Sequence, residues 1–88
     1  MTLYGYCYYN RKAGYYTAPF FNQYGKEMML ELLERSYQDA PKDEQKRLQE
    51  CDFMFVGEFD DKSGEFAILK PEFLRNFVEV SKGENPNG

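Results

Sequence analysis

Six tyrosines bracket one short basic turn. Tyr4, Tyr6, Tyr8 and Tyr9 precede Asn10-Arg11-Lys12-Ala13-Gly14, and Tyr15 and Tyr16 follow it. Arg11 and Lys12 are the only charges in residues 1–24. Aromatic faces stack on nucleobases while cations meet phosphates, so this composition suits a contact with single-stranded nucleic acid. The residues that would make it are Tyr4, Tyr6, Tyr8, Arg11, Lys12, Tyr15 and Tyr16. The competing reading is a hairpin whose tyrosines cover its own sheet.

Other chemistry is thinly represented. The chain has no histidine, and it carries neither a Gly-rich phosphate loop nor a serine-nucleophile motif. The expectation is a protein that is not an enzyme, with no catalytic residues and no cofactor. Cys7 and Cys51 lack CxxC spacing, so zinc is not expected, and two lone thiols suit a reducing cytoplasm. Asp60, Asp61 and Glu65 around Gly64 do not fill the set positions of a calcium loop, and they read as a hairpin turn. No metal site is expected.

Charge bounds the partners. The chain of 88 residues has a net charge of −4, yet residues 1–24 hold +2, which leaves −6 for the rest. An acidic domain repels a phosphate backbone, so any nucleic-acid contact must be local to the basic end. Two cations bind weakly at physiological salt, so such a function calls for a homo-oligomer, a dimer at least, that repeats the patch. No apolar run approaches the ~20 residues of a membrane span, and the N-terminus does not read as a secretory signal.

The elements that position these residues follow from periodicity. Residues 3–9 alternate Tyr4, Tyr6 and Tyr8 against Leu3, Gly5, Cys7 and Tyr9, the period of a strand. Tyr15 to Phe21 reads as the returning strand, with Pro19 at an edge because it has no amide donor. Asn22 is placed to cap a helix over Lys26 to Asp39, whose stripe is Met29, Leu33 and Tyr37, and Pro41 ends it. Lys42 to Glu50 is almost wholly polar and reads as a solvated short helix or loop.

Asp52 to Phe59 and Glu65 to Leu69 form a second hairpin about the turn Asp60-Asp61-Lys62-Ser63-Gly64. Pro71 is expected to open a short C-terminal helix with Phe73, Leu74 and Phe77 on its apolar face, and Val78 and Val80 are candidates for a strand beyond it. The fold class is therefore α+β, in the order ββαββ. The sheet has four mainly antiparallel strands with one main helix packed on one face. Residues 1–80 form a single domain, and 81–88 a flexible tail.

Ring type orients the sheet. All 8 phenylalanines lie at residue 20 or beyond, while most of the 8 tyrosines lie in the first hairpin. Phenylalanine buries completely, but tyrosine keeps a hydroxyl that wants water or a partner. The expectation is that Phe53, Phe55 and Phe59 face the helix and that Tyr4, Tyr6 and Tyr8 form an accessible platform.

Three segments then form a set: Lys12-Ala13-Gly14-Tyr15-Tyr16, Pro19-Phe20-Phe21, and Gly57-Glu58-Phe59-Asp60-Asp61 with Gly64 and Phe66. In this order and spacing, over about residues 3–69, the chain resembles the small nonstructural protein of gokushoviruses. These are single-stranded DNA phages of the microvirus group, and that protein is often labelled DNA-binding. The resemblance implies a role around single-stranded genome synthesis or packaging in the host cytoplasm. The present chain is richer in tyrosine in its first strand, and Lys42–Glu50 is highly charged where the group commonly has a Pro-containing loop.

The leading functional expectation is a non-catalytic phage protein that binds single-stranded DNA. The alternative is a phage interaction protein whose acidic surface inhibits a host protein, or which sequesters a nucleotide between subunits. A third reading is a structural accessory whose tyrosines only seal an oligomer.

Overall fold

A computed structural model describes residues 1–78. Two hairpin turns set the register, and they are built alike. In the first, the side-chain oxygen of Asn10 accepts from the amides of Lys12 (3.0 Å) and Ala13 (2.9 Å), and Gly14 closes the turn onto the Asn10 carbonyl at 2.7 Å. In the second, Asp60 accepts from the Lys62 amide at 2.9 Å, and Gly64 returns to the Asp60 carbonyl at 2.7 Å. The glycines have φ of +83° and +76°, a backbone that favours residues without Cβ.

The strands are β1 (Thr2–Asn10), β2 (Tyr15–Tyr16), β3 (Phe20–Asn22), β4 (Cys51–Asp60) and β5 (Phe66–Asn76). All pairings are antiparallel, in the order β2-β1-β4-β5, with β3 also paired to β1. The expected returning strand is thus split around Pro19 into β2 and β3, both on the outer side of β1. Helix α1 (Lys26–Asp39) has the expected bounds and α2 (Lys42–Gln49) follows at once. The α+β class and the ββαββ plan hold.

Some details differ from expectation. Gly25, not Asn22, stands at the N-cap of α1; Asn22 lies in β3, and its side chain accepts from the Tyr24 amide at 3.0 Å. The second helix is the polar segment before β4, while Pro71 to Asn76 is extended as the end of β5 rather than a short C-terminal helix. Pro71 is tolerated because β5 is an edge strand and its pairing to β4 is irregular between Ile68 and Glu72. Val78 lies outside any strand; Val80 and the 80/81 domain boundary lie outside the described residues.

The core lies between the sheet and the helices. Tyr6, Leu33, Phe53, Phe55 and Phe77 are its buried members, and Tyr4, Tyr8, Met29, Leu30, Tyr37, Leu48 and Leu74 pack around them. Tyr6 is 0% exposed and stacks on Phe53 with ring centroids 5.2 Å apart.

Candidate functional site on the open sheet face

The register of β1 on β4 decides which side chains share a face. Tyr8 lies opposite Phe53 and Tyr6 opposite Phe55, so tyrosine and phenylalanine sets fill the same helix side. Tyr4, Tyr6 and Tyr8 are therefore part of the core, not an accessible platform. The hydroxyl that argued for exposure is satisfied inside: Tyr6 donates to the carbonyl of Tyr24 at 2.7 Å. Burial pushes the Tyr6 phenol up to about 12. It also raises Tyr8, with the negative sides of Cys51 and Glu44 adding to it.

Phe59 departs from Phe53 and Phe55. Between Gly5/Gly57 and Tyr6/Phe55 the register shifts, because Val56 is an extra residue on β4. Beyond this bulge Phe59 turns to the other face, where its ring meets Phe66 at 4.7 Å. Bulges re-aim side chains in this way.

The face opposite the helices is where the remaining apolar residues collect. Its floor is Cys7 and Val56. One wall rises from the break between β2 and β3, with Tyr16, Thr17, Pro19 and Phe21; the other is β5, with Phe66, Ile68, Leu69 and Pro71. They enclose a cleft of about 530 Å³ with no charged side chain in its lining. Ile68 is 82% exposed and Phe66 58%, whereas the Cys7 thiol on the floor is buried and its pKa raised by that burial.

Gly5 and Gly57 lie opposite each other on this face. The Phe21 ring covers Gly5 so closely that a Cβ there would meet it at 2.5 Å, and Phe21 meets Phe66 edge-on at 5.6 Å. The φ of Gly57 is +151°, and a Cβ would strike the carbonyl oxygen of Ala67. Both glycines let chain or ring approach the sheet where any side chain would block it.

The hairpin end holds the rest of the residues expected to bind nucleic acid. Tyr15 is 63% exposed, and Tyr16 packs on Tyr9 with centroids 4.7 Å apart. Arg11 is not free: its guanidinium pairs with Asp52 at 2.6 Å and donates to the Gln49 carbonyl. Lys12 lies 3.7 Å from Glu50. The structure thus divides the expected set in two. Arg11, Lys12, Tyr15 and Tyr16 share one accessible end, while Tyr4, Tyr6 and Tyr8 face the helices.

Sequence reasoning missed the cleft residues Phe21, Phe66, Ile68 and Leu69. The signal was present in β4, where both alternating sets are apolar: Phe53 and Phe55 on one side, Met54 and Val56 on the other. Such a strand is covered on both faces.

Among the described residues no helix is long and apolar enough to cross a membrane, and no cluster of three or more His, Cys, Asp or Glu is placed to hold a metal. The model of one protein family, described as phage ORF5 protein, matches residues 3–80. No curated protein and no solved structure gives a match.

Proposed function

Because this chain belongs to the phage ORF5 protein family, we propose that it is a non-catalytic phage protein that binds single-stranded DNA through its hairpin end. The observation that carries this reading is the placement of Tyr15, the Tyr9–Tyr16 ring pair and Lys12 together at an accessible end of the sheet. The likeness to gokushovirus nonstructural proteins supplies the ligand class, a single-stranded genome in the host cytoplasm.

The ion pairs refine the mode of binding. Arg11 and Lys12 each face a carboxylate, so phosphate must compete with Asp52 and Glu50. Stacking then carries most of the affinity, roughly 1–3 kcal/mol per base with little sequence preference. At most two cations are released per copy, so the slope of log K against log salt is no steeper than about −1.4 on single strands.

The test is a titration of labelled oligo-dT at low and moderate salt with the native chain and Tyr15→Ala. Binding at low salt that weakens on loss of the ring supports the reading. Absence of binding at low salt, where charge is least screened, rejects it.

A second reading rests on the outer side of α1. Glu27, Glu31 and Asp39 are exposed there, and none has an ion-pair partner among the described residues. Such a surface suits a basic host protein. It predicts that Glu27→Lys with Glu31→Lys abolishes capture of that protein while leaving oligo-dT binding unchanged.

A further inference from the structure

We infer that the open-face cleft is a self-association surface, filled by the β5 wall of a second copy of this chain about a two-fold axis. The inference stands on the cleft itself; it shares only Tyr16 with the proposed DNA contact at the hairpin end.

Three observations select a second copy. The first is size. Tyr16, Phe21, Phe66, Ile68 and Leu69 are large and partly or mostly exposed; at roughly 150–250 Å² per side chain they present on the order of 500 Å² of apolar surface. That lies at the upper end of the patches normal on monomers, about 300–600 Å². With exposed Phe73 opposite Met54 on the same face, it reaches about 600 Å², the top of that range and roughly three-quarters of the ~800 Å² per partner of a standard interface.

The second observation is charge. Each copy carries a net −4, so two copies repel at long range, and the face that adds least to this cost is one that brings no further charge into the contact. The cleft lining has no charged side chain at all. The same fact disfavours a nucleic acid in the cleft, because phosphates find no cation there.

Third is shape. Ile68, at 82% exposed, projects from the wall of a cleft of about 530 Å³ that it helps to form. A knob beside a hole on one surface is self-complementary under a two-fold operation, since each copy supplies what the other receives. Cys7, at 3% exposed, already forms a buried floor beneath it with Val56. The outer β5 edge is a poorer route to a dimer. Lys70 and Pro71 interrupt it at the irregular stretch between Ile68 and Glu72, and such features protect sheet edges from pairing.

The experiment is the solution mass of the full chain by sedimentation or light scattering, from about 1 to several hundred μM (the range bracketing micromolar association), with Ile68→Glu beside it. The native chain is expected to rise toward twice its 10.4 kDa, and Ile68→Glu to remain at 10.4 kDa throughout. Circular dichroism of the variant should match the native chain, because the Ile68 side chain stands in solvent in a single copy. A native chain that stays monomeric across the range overturns the inference. So does a dimer that persists in Ile68→Glu, or one that oligo-dT dissolves by taking the same face.

Discussion

On the helix side of the sheet Tyr6 is completely enclosed, while on the other side Ile68 stands almost wholly in solvent. Both faces are nevertheless apolar along β4, with Phe53 and Phe55 on one and Met54 and Val56 on the other. The difference is in what covers them. Helix α1 supplies Met29, Leu30 and Leu33 to the first face. The second has only its own curled walls, from the split β2/β3 edge and from β5. Hydrophobicity alone therefore did not choose the core; the position of the one long amphipathic helix did.

Tyr6→Ala is the most direct way to break that comparison. It empties a site stacked on Phe53 and packed near Phe20 and Phe55, and the cost should be about 3–5 kcal/mol. Urea unfolding checks it. A loss under 1 kcal/mol would mean that Tyr6 is not the centre of the core.

Alkali should act on the same ring. The Tyr6 phenol sits at about 12 in the folded chain against an ordinary 10, so the folded state holds its proton more tightly. The resulting stability is complete below pH 10 and is lost as pH rises from 10 to 12. A shift of that size corresponds to a few kcal/mol at most. Cys7, raised by burial, adds a loss of the same sign from about pH 9. Tyr6→Phe sharpens the assignment: it gives up the hydrogen bond to Tyr24, about 1 kcal/mol at neutral pH, and removes the tyrosine part of the alkaline decline.

Gly57→Ala tests the open face without touching the core rings. The strained φ and the clash with the Ala67 carbonyl should together cost about 1–3 kcal/mol by thermal or urea unfolding. An unaltered midpoint would show that the bulge at Val56 relaxes freely, and the close β4–β5 approach would lose its significance.

Much of this architecture was legible beforehand, and the errors have physical causes. Lys26 to Asp39 was readable because its stripe and its bounding Pro41 agree, and both turns because Asn10/Gly14 and Asp60/Gly64 carry the needed turn chemistry. The faces of β1 were not. A tyrosine hydroxyl signals exposure only when no internal acceptor is near, and the Tyr24 carbonyl, 18 residues away, is invisible to periodicity. Phe59 failed for a different reason: one bulged residue reverses everything beyond it. At the hairpin end, the basic character of Arg11 and Lys12 was readable, but their neutralisation by Asp52 and Glu50 depends on long-range pairing.

The smallest expected effect on stability separates the two regions most cleanly. Tyr15 is 63% exposed, and its ring meets no other aromatic ring among the described residues. Its backbone pairing with Asn10 does not depend on the side chain. Tyr15→Ala should therefore change stability by no more than about 0.5 kcal/mol, as for exposed positions generally. If the hairpin end binds DNA by stacking, the same substitution should weaken oligo-dT by about tenfold, the equivalent of ~1.4 kcal/mol. Fluorescence anisotropy and urea unfolding on one preparation measure both. A large stability loss would place the ring in the fold after all, and unchanged affinity would remove it from the contact. Only an intact fold with weakened binding assigns this tyrosine to a ligand while Tyr6, nine positions earlier, belongs to the core.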